Sequence, residues 1–160
     1  MMHAWAVGVH AACAVVGLTT GGFVLFRGTW LGAHVAAVLA MTGALWTALA
    51  LGWATFASDG VRVTFVGLGA LAIAMSVRAG LAWRAAARDG EVAVTRTSLE
   101  HVGFNVISLV VGALIAPALR LDAGPLPPVI AAVVGVVGAR WLVLRRVSRW
   151  EQRQPSTVHW

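Results

Sequence analysis

Carboxylates, lysine and cysteine are scarce in this chain of 160 residues, and each scarcity closes off a class of chemistry. Only six residues are acidic, lysine is missing altogether, and cysteine occurs once, at Cys13. A lone cysteine inside an apolar run builds no disulfide framework and does not report the redox compartment. There is no P-loop, HExxH, CxxC pair or GxSxG, so the usual signatures of phosphate cradling, zinc proteolysis, dithiol redox chemistry and hydrolase nucleophiles are missing. Metal-assisted diphosphate chemistry, as in a lipid or isoprenoid enzyme, usually wants carboxylates. None of the six acidic residues lies inside an apolar run, which leaves that reading as a distant alternative.

The abundant material is apolar. Hydrophobic residues make up 59% of the chain and charged ones 11%, and mean hydropathy is +0.84. A soluble fold of this length would have too little polar surface to present to water. The net charge is +6, and arginine supplies all of the basic side. A basic balance can point to nucleic acid, but these arginines flank apolar runs. Anionic lipid headgroups are therefore the expected partner, and nucleic acid is not.

A helix needs roughly 20 apolar residues to cross a hydrocarbon core of about 30 Å, and five runs qualify. They are residues 4–26, 30–57, 63–83, 102–119 and 126–144, with Arg78 and Arg140 as the interruptions. The first has no Lys or Arg before it and is too long for a signal h-region, so it reads as a retained helix. The expected fold is an all-α integral membrane bundle of five transmembrane helices over residues 1–144, followed by a basic cytoplasmic tail, 145–160. The turns Asp59-Gly60 and Asp89-Gly90 separate elements, and the connection from Arg84 to Glu100 has room for a short surface helix.

Basic loops are retained on the cytoplasmic side. With the N-terminus outside, Arg27, Arg78, Arg84, Arg88, Arg96, Arg140, Arg145, Arg146, Arg149 and Arg153 lie toward the inside, and only Arg62 and Arg120 face out. Trp5 and Trp53 near outer ends, and Trp30, Trp83 and Trp141 near inner ends, fit the interfacial aromatic belt. The expected location is a bacterial-type cytoplasmic (inner) membrane, crossed several times. Small residues let helices approach in lipid: Gly17 and Gly21, then Gly69, Ala72, Ser76 and Gly80, then Ala131, Gly135 and Gly138. These stripes predict packing within the bundle, self-association, or membership of a membrane complex.

The polar residues inside the runs are the candidate functional groups. His101, Asn105, Ser108 and Gly112 share one face of a 3.6-residue helix, directed at neighbours. His34 and His101 open two helices of the same direction and so share a depth, as a bis-histidine haem b or a metal would need. The competing reading is that each is an interfacial side chain or hydrogen-bonds an adjacent helix. His10 lies on the order of 15 to 20 Å along the axis from His34 and serves an interhelical hydrogen bond or a proton or quinone site. Arg78 and Arg140 either snorkel to the headgroups or, with Arg27, form a basic rim for an anionic group, whether lipid phosphate, diphosphate or haem propionate, with Asn105 supporting a ligand. Thr97-Ser98-Leu99-Glu100 matches a capping box, so Glu100 is expected to start a helix. No residue is marked as catalytic.

The stretch from His10 to Met41, "HAACAVVGLTTGGFVLFRGTWLGAHVAAVLAM", covers about a fifth of the chain. It resembles a pattern in small uncharacterised bacterial polytopic membrane proteins, in which a histidine opens the first helix, an Arg-Gly turn follows and a second histidine begins the next. It is also distantly similar to b-type transmembrane cytochromes, whose haems are held by histidines from adjacent helices; "WRAAARDG" is a possible second matching segment. The resemblance implies a haem- or quinone-linked redox subunit and nominates His10 and His34 as ligands. The residues themselves leave open a non-catalytic transport or assembly subunit.

Overall fold

In the computed structural model, residues 2–55, 59–88, 91–120 and 126–151 are described. Five long helices carry nearly all of them: α1 (Met2–Arg27), α2 (Leu31–Gly52), α3 (Asp59–Ala86), α4 (Arg96–Arg120) and α5 (Leu126–Glu151). Among the described residues, four stretches are long and apolar enough to cross a membrane: Met2–Arg27, Leu31–Gly52, Arg62–Ala86 and Arg96–Leu114.

Several boundaries differ from those the sequence suggests, each for a local reason. α2 stops at Gly52 and tightens into a 3₁₀ turn at Trp53–Thr55, so the second span is shorter than the run 30–57. Asp59 and Gly60 open α3 and do not form a turn. Among its described residues the connection after α3 holds no surface helix. The helix runs on through the alanine-rich segment to Ala86, and two short strands follow, β1 (Ala87–Arg88) and β2 (Glu91–Val92), paired antiparallel. Asp89-Gly90, bracketed by that pairing, lies outside the described residues. α5 continues without a break past residue 144 to Glu151, and Val147 is buried in the bundle. The first half of the expected tail is thus packed helix, and residues 152–160 lie outside the described residues.

α4 starts six residues before the apolar run, and its cap is not the one the sequence suggested. The amide of Thr95 donates to Ser98 Oγ at 2.8 Å while the amide of Ser98 donates to Thr95 Oγ1 at 3.1 Å. This is the reciprocal arrangement of a capping box, with serine in the position usually held by Glu or Gln. Glu100 instead accepts from Arg96 Nε at 3.0 Å, one turn away on the exposed face.

The corner between α1 and α2 is built on two left-handed residues. Gly28 (φ 71°) takes that conformation without penalty, and Trp30 (φ 70°) takes it with a side chain attached. A non-glycine residue there costs about 1 kcal/mol or more. Two contacts hold it: Trp30 stacks on Phe23 with centroids 4.7 Å apart, and its carbonyl accepts the His34 amide at 3.0 Å, starting α2.

The helices alternate in direction. Val24 and Leu25 from the end of α1, Leu31 from the start of α2, Ala82 and Ala86 from the end of α3, Leu99 and Val102 from the start of α4, and Val147 from the end of α5 meet in one core cluster. The same end of the bundle carries Arg27, Arg84, Arg96, Arg145 and Arg149, and Met2, at the start of α1, lies at the other. A second cluster, Val38, Met41, Met75, Ala79 and Leu109, fills the middle. α1 packs on α2 and α4, α3 on α2 and α4, and α5 on α4. Outside, Val15, Leu39, Ile73, Val77, Val133 and Trp141 are exposed, an apolar belt that suits lipid and would be a liability in water.

Candidate functional site: polar rungs between the helices

Three histidines bond backbone carbonyls across the α1–α2 interface under one rule. His3 Nδ1 donates to Ala48 O at 3.1 Å, His10 Nδ1 to Met41 O at 3.1 Å, and His34 Nδ1 to Gly17 O at 2.9 Å. Positions 3, 10 and 17 on α1 thus face 48, 41 and 34 on α2, with seven residues between successive rungs on each helix. Seven residues are two turns, about 10 Å of axis, and are the repeat of helices wound in a left-handed supercoil. The histidine is on α1 for two rungs and on α2 for the third.

A helical carbonyl already accepts the amide four residues on, so a side-chain donor must use its second lone pair. The side chain at that later position leans back over the turn and screens the oxygen. Gly52 follows Ala48 by four, and Gly21 follows Gly17 by four. A Cβ on Gly52 would lie 2.8 Å from His3 Cε1, and one on Gly21 would lie 3.0 Å from the His34 ring and 2.6 Å from Val106. Both glycines give a ring access to a carbonyl. The middle rung forms without this device, with Leu45 at the corresponding place.

His34 has no exposed surface. Gly17 O can only accept, so the proton sits on Nδ1 and Nε2 carries the lone pair. Asn105 Nδ2 approaches that lone pair at 3.4 Å from α4, a long contact. Asn105 is likewise fully buried, and its Oδ1 has no hydrogen-bond partner among the described residues. Between α2 and α3, Ser76 Oγ donates to Thr42 Oγ1 at 2.8 Å, which donates on to Ala72 O at 3.1 Å. Between α3 and α4, Arg78 Nη1 lies 3.4 Å from His101 Nδ1, with its guanidinium 4.7 Å from the Phe104 ring centroid.

No family model, no curated protein and no solved structure matches this chain. Its chemistry has to be read from these contacts.

Of the residues nominated from the sequence, His34 and Asn105 are brought together, and so are Arg78 and His101. His34 meets Asn105, one turn further along α4 than His101. His10 is bonded to Met41 O, two turns from the His34 rung. Arg140 is exposed on α5, and among the described residues no hydrogen bond, ion pair or ring contact joins it to the others. No group of three or more His, Cys, Asp or Glu side chains gathers among the described residues. The expected polar face of α4 does point inward, with Asn105 and Ser108 buried and His101 half-buried. The sequence reading gave no bonding role to His3, Gly52 or Thr42 and took Ser76 only as a small residue for packing. The seven-residue step from His3 to His10, matched by the helix that follows, was the available signal for the first two.

Proposed function

We propose that this chain is a non-catalytic subunit of a bacterial-type inner membrane, acting in assembly or transport, in which the intramembrane polar groups fasten the helices to one another. In this reading α5 is a fifth crossing, the N-terminus is outside and the arginine-rich end faces the cytosol. The observation that carries it is that His3, His10 and His34 all donate to main-chain carbonyls of the adjacent helix. A group that holds a neighbouring backbone has a structural task already. Glycines whose added Cβ would meet nothing within 4 Å, such as Gly43, Gly67, Gly112 and Gly138, leave close-approach positions for a second copy or another subunit.

One observation favours a second reading, a haem b or quinone-linked redox subunit. A histidine that donates Nδ1–H to a backbone carbonyl holds Nε2 in the tautomer that metal-ligating imidazoles use, and His34 does so. Ligation there requires the Asn105 amide to move off Nε2, with His101 as the second ligand and the arginines of the same end as partners for propionates. The absorption spectrum of protein purified in detergent from cells well supplied with haem separates the two. The first reading expects a colourless preparation that co-purifies or self-associates. A Soret band abolished by His34→Ala and His101→Ala would overturn it in favour of the second.

A further inference from the structure

Arg78 is a charge within the apolar part of the bundle that has no ion-pair partner among the described residues. It is exposed on α3, eight residues before Ala86, which sets its Cα about 12 Å inside the helix end. A snorkelling arginine would extend toward that end. This one is turned sideways onto α4, its guanidinium over Phe104 and Nη1 toward His101 Nδ1. Arginine has no acceptor, so His101 Nδ1 takes the acceptor role and Nε2 carries the proton. The pair therefore offers only donors: the remaining guanidinium N–H groups and one imidazole N–H. No Asp or Glu occurs between Gly60 and Arg88 or between His101 and Leu121, and Glu100 is engaged with Arg96. Among the described residues no carboxylate pairs with Arg78, and its face opens outward, where an external anion can supply the counter-charge.

We propose that Arg78 and His101 form a binding site for the phosphate of an anionic phospholipid, held on the outer face of the α3–α4 pair with Phe104 as its floor. A phosphodiester supplies unprotonated oxygens that match the guanidinium fork, and its acyl chains continue along the exposed surface of Ala74 and Val77. The proposal rests on α3 and α4 crossing a bilayer; it is compatible with rungs that serve assembly and excludes the redox reading, which takes His101 as the second ligand.

Native mass spectrometry of the full chain in detergent, titrated with phosphatidylglycerol or phosphatidylcholine, tests it. Phosphatidylglycerol should bind at least about tenfold more tightly than phosphatidylcholine. Arg78→Gln should remove that preference, and His101→Gln should reduce it. Arg84→Gln, which removes an exposed charge from the same helix end, should leave it intact. If Arg78→Gln does not fold, Arg78→Lys keeps the charge but loses the fork, and an intermediate preference is expected. Equal binding of the two lipids, an unchanged preference in the Arg78 variant, or displacement of the lipid by millimolar inorganic phosphate would overturn the proposal, the last assigning the pair to a soluble anion.

Discussion

His34 joins three helices through two ring nitrogens, which makes it the residue whose loss should be felt most. His34→Ala removes the bond to Gly17 O and strands the Asn105 amide in a buried site. The expected cost is about 1 to 2 kcal/mol, read by SDS-titration unfolding of the purified protein. His101→Ala, at a half-buried position, should cost about 0.5 kcal/mol or less. Asn105→Ala should fall below His34→Ala, because it also removes the buried Oδ1 that has no partner among the described residues. A larger effect at Asn105 than at His34 would mean that the amide has a ligand beyond the bundle. At this scale the sequence was half legible. The inward face of α4 followed from spacing, but whether His34 meets His101 or Asn105 depends on one turn of relative height, which periodicity cannot give. The cap of α4 was misread for a similar reason. Thr97 and Glu100 fit the familiar pattern, while Thr95 and Ser98 form the same reciprocal bonds with a residue type that the pattern does not name.

Adjacent glycines on α1 give a sharp test of how the elements pack. Gly21 lies against His34 and Val106, whereas Gly22 has nothing within 4 Å of an added Cβ. Gly21→Ala should destabilise by about 1 to 3 kcal/mol through overpacking. Gly22→Ala should be neutral or stabilising by up to about 1 kcal/mol, since alanine is the better helix former. Comparable losses at both would mean that Gly22 is covered by another copy or a partner. Capping gives a second pair: Thr95→Ala should cost about 1 kcal/mol, and Thr97→Ala, on an exposed side chain, should stay within about 0.5. The number of helices was readable from run lengths alone, because lipid permits few alternatives to a fully bonded helix. Their ends were less so. Hydropathy marks where apolar residues stop, while the helix stops where its terminal amides and carbonyls find partners, as at Thr95 or in the Ala87–Val92 hairpin.

For the whole molecule, the meeting of Val24, Leu31, Ala86, Leu99 and Val147 in one cluster sets the alternation of the helices, and the arginine bias then assigns a side. With Cys13→Ala as background, a cysteine at exposed Ser148 should resist an impermeant maleimide in intact cells and react after permeabilisation. One at exposed Val63 should react without it. The reverse pattern would invert the orientation and move the Arg78 face to the other leaflet. The strong arginine asymmetry was visible from composition. That the arginines gather around a packed hydrophobic plug involving all five helices was not, since Val147 lies in a stretch whose charge reads as solvated tail.

The rungs between α1 and α2 are chemically lopsided: one side is an imidazole and the other is main chain. Main chain is indifferent to the residue that carries it, so at Ala48 and Met41, both buried, a library selected for folded protein should be limited by side-chain volume and not by hydrogen-bonding chemistry. The same selection at His3, His10 and His34 should return almost nothing else, and at Gly21 and Gly52 only the smallest residues. One half of this interface is therefore held by chemistry and the other by size alone.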